Sequence, residues 1–205
     1  INMKVELLTI TPDAEKVIEL AGRTAYQSFD KITPESSEKF IKMLVKRQHF
    51  SVLEHCTATF RISDISRAFS HQLVRHRIAS YTQKSQRYCK EDNFEFVVPD
   101  AIINNDEAAR IFYGLMHDAE VAYTKLEELG IRNEDARFVL PNACTTEIVI
   151  TTNFREWRHI IGLRTDKAAQ WEIREVCMEI LKILKEKAPS CFRDLKKWKN
   201  IYNVV

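Results

Sequence analysis

Apolar and polar residues alternate from position 56 to 63, with Cys56, Ala58, Phe60 and Ile62 set against Thr57, Thr59, Arg61 and Ser63. A two-residue period puts each set on its own face, so this stretch predicts a half-buried strand. Residues 144–152, rich in Thr, Ile and Val, predict a second. Shorter strands are expected around Val5 and Leu7 and over 94–98, where Pro99 ends the run. Helical spacing dominates elsewhere. Thr11-Pro12 and Thr33-Pro34 each offer a capping hydroxyl followed by Pro at the first helical position. The first helix is expected to face inward through Val17, Leu20, Ala21 and Thr24, the second through Phe40, Ile41, Leu44 and Val45. A third, capped by Ser63 or Asp64, carries Ile65, Phe69 and Leu73 inward and runs to about Arg77, before a polar ordered loop over 80–87. Ala109, Phe112, Met116, Ala119, Tyr123 and Leu126 mark one long helix over 105–129, closed by Gly130. A short helix follows at Asn133, Asn153 with Glu156 forms a capping box, and a last long helix spans about 167–187.

Strands and helices mix without regular alternation or internal repeats, which predicts an α+β fold: a mixed, largely antiparallel sheet packed with helices. With 205 residues, 45% of them hydrophobic, and no linker-like stretch, one domain over 1–205 is expected. The charge balance, 31 Lys plus Arg against 29 Asp plus Glu, argues against a nucleic-acid packaging protein. No apolar run approaches the ~20 residues of a membrane helix, and the N-terminus lacks a signal-peptide pattern. Five scattered cysteines, none in a CxxC pair, suit a reducing, cytoplasmic setting. The four glycines are all isolated, so neither GxGxxG nor a Walker loop exists, and any nucleotide phosphate must be held largely by side chains.

Charge is nonetheless uneven. Residues 65–90 hold Arg67, His71, Arg75, His76, Arg77, Lys84, Arg87 and Lys90 without one Asp or Glu. On a helix running to Arg77, Gln72, Arg75 and His76 share a face, and the loop from Ser80 to Arg87 adds hydroxyls and amides. Arg forks match phosphate bidentately, so the patch suits a phosphorylated small molecule. Neither His49 with His55 nor His71 with His76 has the i, i+4 spacing of a helical metal pair, and no metal site is expected.

Arg75-His76-Arg77 followed after seven residues by Ser85 resembles the signature of the flavin-dependent thymidylate synthases. Three further blocks resemble that family in its order: His49-Phe50-Ser51 with Glu54-His55, Arg137 to Pro141, and Leu163-Arg164 with Ala169-Gln170-Trp171-Glu172. The resemblance implies an enzyme that makes thymidylate from deoxyuridylate (dUMP), with FAD as hydride carrier. Methylenetetrahydrofolate would donate the carbon and NADPH the reducing equivalents. It also implies a homotetramer with active sites shared between subunits. Carried over by position, Ser51, Arg75, His76, Arg77, Gln83, Asn153, Arg155 and His159 would contact FAD. Gln72, Arg75, Gln83, Lys84, Ser85, Gln86, Arg87, Arg137 and Arg164 would hold dUMP. Arg164 would be catalytic: a guanidinium beside the pyrimidine N3 stabilises the charge that builds as N3–H ionises. The chain departs from some relatives, which carry Glu, Asn and His where Gln83, His159 and Ala168 stand.

Two other classes compete. Tyr81 and Tyr88 interleave with the cations as stacking platforms would in a single-stranded nucleic-acid-binding module. A nucleotide-binding protein of the same fold without turnover is the other. Cys89, beside the basic loop, is the cysteine best placed to act as a nucleophile. In a flavin enzyme it is dispensable, so Cys89→Ser should retain substantial thymidylate formation. Abolished turnover with intact folding and FAD binding would refute that chemistry.

Overall fold

The computed structural model describes residues 3–89 and 95–195. Its sheet has four strands, β1 (Lys4–Ile10), β2 (Thr57–Ser66), β3 (Ser80–Gln83) and β4 (Thr145–Asn153), in the order β1-β2-β4-β3, open and antiparallel. The fold is α+β, as the mixed pattern predicts. The alternation at 56–63 is realised fully: Cys56, Ala58, Phe60 and Ile62 are all inaccessible to solvent. Asp64 takes a left-handed φ of 58°, and β2 continues past it to Ser66. No helix among the described residues is long and apolar enough to cross a membrane.

The chain clusters into two compact units. The unit formed by residues 5–61, 75–81 and 149–205 contains α1 (Ala14–Thr24), α2 (Ser36–Lys46), α7 (Phe154–Arg164), α8 (Trp171–Lys187) and α9 (Pro189–Phe192). Its core is Ile18, Ile41, Leu53, Phe60, Trp157 and the inner face of α8. Trp157 stacks edge-on against Phe60 at 5.2 Å and donates its indole N–H to the Ala58 carbonyl at 3.1 Å, so the largest buried side chain leaves no polar atom unpaired. The inward stripe of α1 is Ala14, Ile18 and Gly22 rather than Val17, Leu20 and Thr24, and Leu20 is exposed. Gly22 is consistent with that rotation: a Cβ there would lie 2.6 Å from the Phe40 ring, so this face of α1 packs against α2 without a side chain at 22. Thr11 caps no helix; its hydroxyl oxygen accepts from the Thr57 amide at 2.9 Å and ties β1 to β2.

The unit formed by residues 1–4, 62–74 and 82–148 contains α3 (Arg67–Leu73), α4 (Asp100–Ile103), α5 (Asp106–Glu128) and α6 (Asn133–Ala136). Ile65, Phe69 and Leu73 point inward as expected. The cap of α3 is Ser66, whose hydroxyl accepts from Phe69 N at 3.0 Å, because the strand extends through the positions expected to cap it. Asn105 caps α5, and Gly130 closes it with a φ of 78°. The strand expected over 94–98 is a single antiparallel bridge from Phe96 to Cys144, and Phe94 lies outside the described residues.

Phe60→Ala should cost about 3–5 kcal/mol, the usual range for truncating a fully buried aromatic. Thr59→Ala, on the opposite face, loses one hydroxyl contact to Thr151 and should cost about 1 kcal/mol. Urea midpoints at a common m-value check the contrast.

Candidate active site

The helix ends at Leu73, four residues before Arg77, so Gln72, Arg75 and His76 do not share a helix face. Beyond it the backbone is irregular, and side chains alternate in their environment. His76 is buried at 5% exposure, while Arg75 and Arg77 on either side are exposed. Neither Arg is paired with a carboxylate among the described residues. Two side-chain bonds hold this stretch in place: Tyr81 donates its hydroxyl to the His76 carbonyl at 2.7 Å, and the Thr152 hydroxyl donates to the Ile78 carbonyl. The polar loop expected from Ser80 is ordered as expected, but its first four residues are β3.

Three residues of α7 meet the His76 ring. The helix starts at Asn153, whose side chain accepts from Glu156 N at 2.9 Å, as the capping pattern predicts. Its last residue, Arg164, donates from Nε to His76 Nε2 at 3.0 Å. Glu156 brings a carboxylate oxygen to 3.7 Å from His76 Nδ1, and His159 packs edge-on with ring centroids 5.7 Å apart. Burial, then the Arg164 charge, then His159 push the His76 pKa down to about 4. Burial raises the Glu156 carboxyl, with His159 and Arg155 opposing. Burial and the Glu156 charge push the Tyr81 hydroxyl up to about 12.

Asn153, Arg155, Glu156, His159, Ile78 and Glu54 line a hollow of about 450 Å³. Three of these, Asn153, Arg155 and His159, are in the predicted flavin set. Arg155 is ion-paired to Glu54 at 2.5 Å, and Ser51 is exposed on the 3-10 turn Phe50–His55. Sequence reasoning gave Glu54 and Glu156 no site role. The capping box at Asn153 identified Glu156, but its spacing carries no information that the carboxylate turns toward His76.

The remaining predicted residues lie in the unit that contains α3. Gln83 donates its amide to Ser70 Oγ at 2.9 Å and Thr146 Oγ1 at 3.1 Å, which fixes the orientation of its carbonyl oxygen. Lys84 N donates to the Glu147 carbonyl, and Ser85 Oγ accepts from Arg87 N at 3.3 Å. Arg87 is forked onto Glu134 at 3.0 and 3.2 Å, so the acid-free stretch receives a carboxylate from α6. Gln86 is buried, Gln72 half-buried. Gln86 and Arg137 share a hollow of about 330 Å³ with Arg67, His71, Phe138 and Leu140. Arg67 and His71 thus join two predicted nucleotide contacts. Their place in the basic run was the only sequence signal for them.

Residues 6–190 match the family described as "Thymidylate synthase complementing protein". A flavin-dependent thymidylate synthase of Geobacter sulfurreducens is 45% identical over 200 residues, covering 94% of this chain and 86% of that protein. One from Pyrococcus horikoshii is 42% identical over 189 residues, covering 87% and 78%. Among solved structures, thymidylate synthase X from Helicobacter pylori with FAD and dUMP superposes with a TM-score of 0.79 at 25% identity, covering 94% of this chain and 98% of that one. A UMP/dUMP methylase from Streptomyces cacaoi shares the fold with a TM-score of 0.84 at 24% identity, covering 94% and 93%.

The buried imidazole makes a pH signature. Unfolded, His76 titrates near 6.5; folded, near 4. Between those values the unfolded chain holds the extra proton, so stability falls as pH drops through that window. Glu156, with its raised carboxyl, contributes the opposite slope in wild type and variant alike. Urea unfolding across pH 4 to 6.5 should therefore show a shallower acid loss in His76→Gln than in wild type.

Proposed function

The chain belongs to the flavin-dependent thymidylate synthase family, and from that premise we propose that it converts dUMP to thymidylate. Methylenetetrahydrofolate supplies the carbon and NADPH the reducing equivalents, with FAD as cofactor. The observation that carries this reading is the Arg164 guanidinium held through Nε against the buried, neutral His76. Such a cation, partly withdrawn from water and fixed in orientation, is the group needed where a pyrimidine anion develops. Its strength depends on pre-organisation. A guanidinium that had to reorient as charge appeared would contribute far less.

The residues fit a flavin dinucleotide. Its pyrophosphate needs cationic or N–H donors, no glycine-rich loop exists to provide them, and Arg75 and Arg77 stand exposed without carboxylate partners among the described residues. With Ser51, His76, Gln83, Asn153, Arg155 and His159 they form the proposed flavin set. The flavin supplies hydride transfer when bound; the chain supplies binding, orientation and charge. For dUMP, the proposed set is Gln72, Arg75, Gln83, Lys84, Ser85, Gln86, Arg87, Arg137 and Arg164. Ser85 and Arg87 offer a hydroxyl and a cationic fork for the phosphate. Glu134 competes for that fork and would be displaced or shared on binding.

The family match over 6–190 supports reading the two units as one domain of this family. A homotetramer is the proposed assembly. Ile111 and Leu115, one turn apart on α5, are 68% and 58% exposed, and Phe138 is 84% exposed, apolar surface that a subunit contact would cover. All five cysteines are free, which supports a reducing, cytoplasmic setting. A nucleic-acid platform over 65–90 is not favoured, because Arg87 is committed to Glu134 and His76 is buried.

Purified protein should be yellow, and dUMP should shift its visible spectrum through a shared flavin and pyrimidine site. Arg164→Ala should keep FAD and lose about 10²-fold or more in turnover, as removal of one pre-organised donor typically does. A protein that stays colourless after FAD is supplied, or an Arg164→Ala enzyme with unchanged rates, contradicts the assignment.

A further inference from the structure

We propose that Glu156 and His76 form a positioning relay for Arg164, in which the Glu156 carboxylate favours the Nδ1–H tautomer of His76 that leaves Nε2 free to accept the Arg164 Nε–H. The inference rests on the role given to Arg164 above and adds the two residues that aim it.

The proton positions follow from donor and acceptor chemistry. An Arg Nε is protonated at every accessible pH and can only donate. The His76 Nε2 that lies 3.0 Å from it is therefore the unprotonated nitrogen. A neutral imidazole then has its one proton on Nδ1, the atom that faces the Glu156 carboxylate at 3.7 Å. Glu156 is 8% exposed and His76 5%, so this polarity is not shared with bulk water. The other groups facing the ring or its partner are His159, edge-on to it; Tyr81, whose hydroxyl is on the His76 carbonyl; and Arg155, which acts on Glu156. Burial and the Arg164 charge both oppose a second proton on the ring, which keeps Nε2 an acceptor throughout the neutral range.

Holding the Nε–H bond toward His76 constrains the plane of the guanidinium, because that bond lies in it. The relay thereby sets where the two Nη groups of Arg164 lie. A bidentate, planar partner such as the N3 and carbonyl edge of a pyrimidine requires that plane to be set within a narrow range. A competing use for the cluster is cation binding, since ligand atoms of His76, Glu156 and His159 lie within 4.8 Å of one another. A metal on Nδ1 would remove the only proton of an imidazole whose other nitrogen accepts from Arg164. Such an imidazolate is far costlier than the neutral ring, so the same atoms serve better as a relay.

The test uses the FAD-loaded enzyme with nitrogen-15 histidine. The His76 resonances, identified by their loss in His76→Gln, should report the Nδ1–H tautomer at neutral pH, and Glu156→Leu should weaken that preference while the Arg164 contact remains. In kinetics at saturating FAD, His76→Gln keeps an acceptor oxygen near where Nε2 stood and should lose less kcat than His76→Leu. His76→Leu should fall by about 10²-fold in kcat with KM for dUMP changed less than about threefold, the pattern of a misaimed transition-state contact. Equal kcat for the Gln and Leu variants, or an Nε2–H tautomer in wild type, overturns the relay. If the Leu variant does not fold, the tautomers of wild type and Glu156→Leu decide. Wild-type enzyme that forms no thymidylate defeats the functional assignment instead, and the tautomer result still stands or falls by itself.

Discussion

The start of α7 depends on the antiparallel pairing of β2 with β4, the two central strands of the sheet. A strand buried on one face must satisfy its main-chain groups through its neighbours, which leaves little freedom in register. Thr59 facing Thr151 marks that register, and Phe154 N, donating to the Cys56 carbonyl, carries it past the end of β4 into α7. Trp157 then reaches back to the Ala58 carbonyl from one turn further on. The start and azimuth of α7 are thus set by β2. Those two parameters determine where Glu156, His159 and Arg164 stand.

Packing of that quality is what makes a weakly polar cluster usable. An imidazole in water near neutrality exchanges tautomers and protonation states freely; within the fold one state is selected by burial, by a cation on one nitrogen and by a carboxylate on the other. His76 is kept uncharged by its burial and by the Arg164 charge, so the contact from Arg164 Nε belongs to the fold itself. The loop from Gln83 to Arg87 follows a different logic. Its fork is held by Glu134, a surface pair that is 48% and 26% exposed and therefore weak and exchangeable.

Legibility in the sequence tracked how local each determinant is. The faces of β2 and β4 were readable because strand period needs no knowledge of partners, and the α7 cap because Asn153 and Glu156 are three residues apart. The end of α3 was not, since no Gly or Pro follows Leu73 at once. The helix stops where His76 enters the interior and Tyr81 captures its carbonyl, a tertiary event. The rotation of α1 was hidden for the same reason: Gly22 matters only against Phe40. The family signature singled out Arg75, His76 and Arg77, which periodicity could not, but it carried no signal for the Glu156 carboxylate beside the imidazole.

The exposed, buried, exposed order of Arg75, His76 and Arg77 makes this stretch intolerant of changes in chain length rather than of changes in composition. Shifting the frame by one residue would exchange the environments, driving a guanidinium into the core at a cost of several kcal/mol while releasing the imidazole to solvent. Conservative replacements on either exposed side leave the frame intact. A single-codon insertion or deletion between Leu73 and Ser80 inverts it, so the spacing of the two anchored ends is under tighter constraint than the identity of most residues between them.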